Sequence, residues 1–175
     1  MDRIAILKNT VKDYAWGSLS AIPELLDETP PYKRPQAELW MGAHPQAPSL
    51  VAVEGSWQSL LDLISNTPVG FLGAEAARKF DNKLPYLFKV IAAARPLSIQ
   101  AHPDRDQARR GFARENHCAI PLDAPQRTYK DPNHKPEILC ALSPFWALIG
   151  FRPVPEFLAA ARAMPWAGSQ RNRML

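Results

Sequence analysis

The sequence predicts a mainly β fold with interspersed helices, and three observations carry that expectation. Prolines number 18 against 8 glycines, and they are scattered between short periodic segments rather than gathered into a linker. Many short elements joined by rigid turns suit a β-rich domain better than a helical bundle. Two stretches, Ala37-Glu38-Leu39-Trp40-Met41 and Leu97-Ser98-Ile99-Gln100-Ala101-His102, alternate in their side chains at the period of a strand. Apolar residues make up 46% of the 175, enough to fill a core and to set disorder aside.

In chain order, residues 4–7 read as a first short strand. Tyr14-Ala15-Trp16-Gly17 places two large aromatics before a glycine, where core packing is their ordinary use. Residues 20–26 suit a short helix, with Ser20 as cap and Pro23 in the first turn, where its missing N–H costs little. Residues 37–42 suit a strand whose Glu38 and Trp40 share a face opposite Leu39 and Met41; a glutamate in so apolar a run must be exposed or paired. Residues 49–53 give another strand. Ser56 is the expected cap of a helix through Ile64, and Thr67-Pro68 starts a further helix with Phe71, Leu72 and Ala76 on its apolar side.

Residues 84–94 form the most apolar stretch, and Lys89 is the one charge in its run from Leu87 to Ala94. That lysine either snorkels from an edge to water or points into a polar cavity, where it could hold an anion or move a proton. In the strand expected next, Leu97, Ile99 and Ala101 face a core and Ser98, Gln100 and His102 face the other way, until Pro103 ends the ladder for want of an N–H. Asp104 then caps a helix to about Glu115, with Gln107 as its capping-box partner and arginines outward. Residues 116–128 read as loop. The stretch Tyr129-Lys130-Asp131-Pro132-Asn133-His134-Lys135-Pro136-Glu137-Ile138-Leu139-Cys140 has turn chemistry first and a strand after. Residues 145–151 are a further strand candidate and residues 156–164 the start of a helix, while the tail from Pro165 shows no clear element.

Composition narrows the function. The net charge is +4, but the basic residues are dispersed. The densest group, Arg105, Arg109, Arg110 and Arg114, has helix-surface spacing without interleaved aromatics, so a nucleic-acid interface is not expected. Cys118 and Cys140 form no C-x-x-C pair and suit two reduced thiols. No apolar run has the length of a signal peptide or a membrane span, and a soluble cytoplasmic protein is expected.

Gln100, His102 and Glu137 together make an N/O donor set for a metal: imidazole is the commonest zinc ligand and carboxylate a standard companion. A neutral amide ligand leaves the site positive, which favours an anionic intermediate on a substrate oxygen, and Lys89 and Lys135 add to that field. The alternative is a solvated sheet face with a polar row.

The segments Ala37-Glu38-Leu39-Trp40-Met41-Gly42-Ala43-His44-Pro45, Pro96-Leu97-Ser98-Ile99-Gln100-Ala101-His102-Pro103 and Tyr129 to Glu137, with Tyr14-Ala15-Trp16-Gly17 and Phe88-Lys89-Val90, resemble the type I phosphomannose isomerases over about residues 6–151. Several motifs in the right succession make the resemblance specific. It implies a cupin-like jelly roll, here its N-terminal half over residues 1–151, with residues 152–175 starting a helical insertion. It implies one zinc per chain and the interconversion of mannose 6-phosphate and fructose 6-phosphate through an enediol. Position by position, Gln100, His102 and Glu137 match zinc ligands. Lys135 matches a proton-transfer residue, His134 is the candidate for ring opening, and Trp16, Glu38, Lys89 and Ser98 match substrate-pocket positions. A sugar phosphate is the expected partner, and the complete protein is expected to be a monomer.

The family pattern also has a fourth ligand, a histidine, and an arginine much further along, which this sequence does not contain. The expectation is therefore a fragment with open strand edges, poor stability and little isomerase activity. Two other classes stand beside the isomerase: a non-catalytic remnant or sugar-phosphate-binding module, and, more weakly, an iron-dependent cupin oxygenase.

Overall fold

The computed structural model describes residues 4–29 and 32–164. They divide into two compact units, one ending at Ala101 and the other beginning at His102.

The first unit holds two three-stranded antiparallel sheets. In one, β1 (Leu7–Lys8) pairs with β4 (Leu50–Val53), which pairs with β5 (Ser56–Ser59). The first strand thus begins only at Leu7, the end of the expected residues 4–7, and runs on to Lys8: Ile4 and Ile6 are exposed, and Ile6 contributes a carbonyl to the Ala52 amide. The expected helix from Ser56 is corrected to a hairpin. Val53 opposes Ser56 across the two-residue loop Glu54-Gly55, and both loop residues have positive φ, 47° and 81°. That is the backbone of a tight hairpin turn, which takes precedence over the helical spacing downstream. The helix proper is α2 (Leu60–Asn66), capped by Ser59, whose hydroxyl accepts from the Asp62 amide at 3.3 Å.

In the other sheet, β3 (Glu38–Met41) lies between β2 (Thr10–Lys12) and β6 (Phe88–Ile91). Its Leu39 enters a core with Ile22 of α1 (Ala21–Leu25) and Ala92, packed by Val11, Met41 and Val90. The helix α1 lies within the expected residues, but Ser18 does the capping: its hydroxyl accepts from the amides of Ser20 and Ala21. Gly17 has no room for a side chain, since a Cβ there would meet the backbone of Gln36 and Ala37 at 2.7 Å. The two sheets are tied by Ser49, whose hydroxyl accepts from the Gly42 amide and donates to the Asn9 side chain. The helix α3 (Pro68–Lys79) begins at Pro68 as expected and kinks at Gly73, where φ is 76°.

Among the described residues, the second unit carries α4 (Arg105–His117) and α5 (Val154–Ala163). The Asp104–Gln107 capping box is present in both directions, at 2.8 and 3.0 Å. The strands expected over residues 97–102, in the later part of 129–140 and over 145–151 are corrected: all three segments are irregular. Ile99 is 88% exposed rather than packed in a core. Pro96 and Pro103 bracket the first segment and Pro136 opens the second, each removing a ladder donor. Among the described residues, no neighbouring strand pairs with any of them. A two-faced sequence has no strand to join there. Ile138, Leu142, Trp146, Leu148, Ile149 and Phe151 are accordingly exposed. The tail from Pro165 lies outside the described residues. Among the described residues, no helix is long and apolar enough to cross a membrane.

Candidate functional site

The expected site residues fall into two groups, one in each unit. In the first unit the polar face of β3 carries Glu38 and Trp40, both buried. The Trp40 Nε1–H donates to Glu38 Oε2 at 2.6 Å. Lys89 of β6, opposite Trp40 in register, brings its Nζ to 3.4 Å from the same oxygen and 4.8 Å from the indole centroid. The glutamate in the apolar run is therefore paired, and Lys89 turns to a carboxylate and a ring face rather than simply reaching water. A second ammonium was not anticipated: Lys12, opposite Glu38 on β2, lies 4.5 Å from the same indole. The cross-strand position of Lys12 was hidden because Thr10-Val11-Lys12 is too short to read as a strand alone. His44 completes the surround, edge-on to Trp40 at 4.9 Å. Two ammonium groups and one carboxylate around one indole leave the face positive, suited to an anionic group.

Trp16 stacks on Tyr14 at 5.7 Å, and its carbonyl accepts from the amides of Ala94 and Arg95. The Tyr14 phenol is raised above its ordinary 10.0, first by burial, then by the carboxylates of Glu38 and Asp13. Ser98 and Gln100 lie exposed on the irregular segment that ends this unit. A cavity of about 360 Å³ in this unit, lined by Leu72 and Lys79 of α3 and by Phe80 just after it, among others, includes none of the expected residues.

In the second unit His102 meets the segment that follows Pro132. Its Nδ1 is 3.0 Å from the Lys135 carbonyl oxygen, and its Nε2 is 3.9 Å from Glu137 Oε2. A carbonyl only accepts, so this contact takes the tautomer with the proton on Nδ1, and Nε2 lies on the Glu137 side of the ring. That is the tautomer a metal-binding imidazole needs, with the carbonyl as the outer partner that fixes it. Two ligands of a tetrahedral zinc at ordinary bond lengths stand about 3.4 Å apart; the imidazole nitrogen and the carboxylate oxygen, at 3.9 Å, stand wider than that. Among the described residues, no group of three or more His, Cys, Asp and Glu side chains gathers for a metal. His134 is half-buried in the same segment, after an Asp131 turn in which the carboxylate accepts from the Asn133 amide.

The segment is held at its start by Glu115 and Arg127, both buried. Glu115 accepts from the amides of Thr128 and Tyr129, and Arg127 Nε lies 3.3 Å from its Oε2. These hold the Glu115 carboxyl below its ordinary 4.5: the Tyr129 amide first, against the effect of burial, then the Thr128 amide and the charges of Arg127 and Arg114. Both Cys118 and Cys140 are free thiols.

The profile of the phosphomannose isomerase type I catalytic domain matches residues 4–154. The chain is 46% identical to the mannose-6-phosphate isomerase of Salmonella typhimurium over 164 residues, covering 93% of this chain and 42% of that protein. The Escherichia coli protein of the same name is 48% identical, with 93% and 41% covered, and the Homo sapiens one 37% identical, with 93% and 38% covered. Among solved structures, a zinc-bound mannose 6-phosphate isomerase superposes with a TM-score of 0.69 at 48% identity, over 74% of this chain and 33% of that one. The Salmonella typhimurium enzyme bound to fructose 6-phosphate and zinc gives 0.69 at 49% identity, over 75% and 33%. The cupin-like fold class expected from the sequence is thereby borne out, and the chain spans about two fifths of the length of the relatives it matches. With the profile covering most of its residues, the chain belongs to the type I phosphomannose isomerase family.

Proposed function

We propose that the chain carries the N-terminal share of the site of a zinc-dependent aldose–ketose isomerase that interconverts mannose 6-phosphate and fructose 6-phosphate. The observation that carries this reading is the His102–Glu137 pair, with Nδ1 spent on the Lys135 carbonyl and Nε2 facing a carboxylate at 3.9 Å. Relatives bearing the isomerase name, and a neighbour solved with fructose 6-phosphate and zinc, support it. In this reading residues 1–151 form the partial catalytic domain and residues 152–175 open a helical insertion. The complete protein is a cytoplasmic monomer that takes a sugar phosphate and no nucleic acid.

His102 and Glu137, with Gln100 two residues upstream of His102, would hold zinc. The bound metal supplies a Lewis acid that lowers the cost of negative charge on substrate oxygen. Isomerisation opens the sugar ring and then moves a proton between adjacent carbons, which requires a base and a field for the oxyanion. His134 is assigned to ring opening and Lys135 to the proton transfer. Trp16, Glu38, Lys89 and Ser98 are assigned to the substrate. Lys89, with Lys12 beside the same indole, offers positive charge to an anionic substrate group, while Glu38 fixes the Lys89 ammonium.

A second reading, a sugar-phosphate-binding module without turnover, draws on the absence of a three-residue His, Cys, Asp or Glu cluster among the described residues. One experiment separates them. Zinc content and isomerase activity are measured on the 175-residue chain and on Glu137→Ala. Zinc and activity lost together in the variant support the isomerase; equal zinc in both proteins refutes the ligand assignment. Mannose 6-phosphate binding with neither turnover nor bound zinc in the parent chain selects the module.

A further inference from the structure

For His102 and Glu137 to meet, two stretches of the second unit must converge: the turn ahead of α4 and the segment after Tyr129. The helix is the strut between them. Its first turn is fixed by reciprocal capping at Asp104, two residues after His102. Near its other end the buried Glu115 accepts from the amides of Thr128 at 3.2 Å and Tyr129 at 2.8 Å. Arg127, 4% exposed, spends its guanidinium on three oxygens: the carbonyls of Tyr129 and Ile120 and the side chain of Asn116. The same guanidinium lies 5.1 Å from the Phe112 ring. The Tyr129 ring sits against the helix at Gly111, where an added Cβ would come within 2.4 Å of it.

We infer that Glu115 and Arg127 are positioning residues: they clamp the segment entering residues 130–137 onto α4 and so set where the Lys135 carbonyl and the Glu137 carboxylate meet His102. A buried ion pair is a costly way to fill space, since apolar side chains of similar volume serve packing as well or better. What the pair supplies, and apolar residues would not, is direction. Bonds run from α4 and the loop after it to both backbone polar groups of Tyr129, eight residues before Glu137. The metal-affinity part of the test rests on the ligand reading above; the clamp itself does not.

The test uses Arg127→Lys and Glu115→Gln in the full 175-residue chain. The lysine keeps the charge beside Glu115 but loses the planar fork. In metal-free protein, long-range proton–nitrogen spectra of the His102 ring report whether Nδ1 stays bonded to the carbonyl. With zinc, competition against a coloured chelator gives the affinity per folded molecule. We expect the ring signals to move toward those of an unbonded imidazole and zinc affinity to fall by about 10- to 100-fold, the usual effect of losing an outer-shell partner. Folded variants with the parent's ring signals and affinity overturn the inference. So does a failure of both variants to fold, which would make the pair a requirement of the whole unit. If the parent chain binds no zinc, the ligand reading fails while the ring spectra still decide the clamp.

Discussion

Residues 37–41 and residues 97–102 have the same alternation, apolar side chains on one side and polar ones on the other. The first is the central strand of a sheet, its Leu39 5% exposed. The second is irregular, its Ile99 88% exposed. Period two therefore describes which side chains share a face and says nothing about whether a neighbour exists to hold the backbone. β3 has neighbours on both edges, and the ladder makes its faces real. The 97–102 stretch lies between prolines and pairs with no strand among the described residues, so its pattern is left without a surface to cover.

Substitutions that act alike on sequence should then act unequally on stability. Leu39→Ala should cost about 2–5 kcal/mol in urea unfolding, the usual range for truncating a core leucine. Ile99→Ala, in the corresponding phase of the other stretch, should stay within about 0.5 kcal/mol. Equal losses would mean that residues 97–102 are packed after all, and the comparison would break. Glu38→Ala sharpens it on the polar face: orphaning the Trp40 Nε1–H and the Lys89 ammonium should cost about 1–3 kcal/mol by the same measurement. The smallest effect concerns acid. Glu115 has its carboxyl held down in the folded chain, so its contribution is present above pH 4.5 and is lost as pH falls through the lower folded value. Amide hydrogen exchange at Thr128 and Tyr129 should accelerate on acidification below that range relative to β3, after correction for intrinsic rates, and Glu115→Gln should abolish the difference.

Much of the local structure was legible because its causes are local. Thr67-Pro68 starts α3, Asp104 and Gln107 cap α4, and the alternation of residues 37–42 marks β3; in each case the decisive contacts lie within a few residues. The Glu54-Gly55 turn was local too, and its two-residue hairpin chemistry was the available signal that helical spacing masked. Lys12 was not legible, because its place beside Trp40 depends on the register of two strands some twenty-five residues apart. The Glu115–Arg127 pair was equally hidden: in sequence Glu115 reads as one more charge on a solvated helix, and only the return of the chain to α4 buries it.

By itself the sequence determined the family, the fold class and the chemical kinds of the candidate site, because motif order, donor identity and apolar periodicity are written along the chain. Tertiary structure alone decided which alternating stretches became strands, which carboxylates acquired buried partners, and which backbone carbonyl the His102 ring meets. Those outcomes depend on through-space neighbours. A backbone donor, a buried charge and an imidazole all take their state from what the fold brings within about 4 Å of them, a distance at which Coulomb and hydrogen-bond energies outweigh local preference.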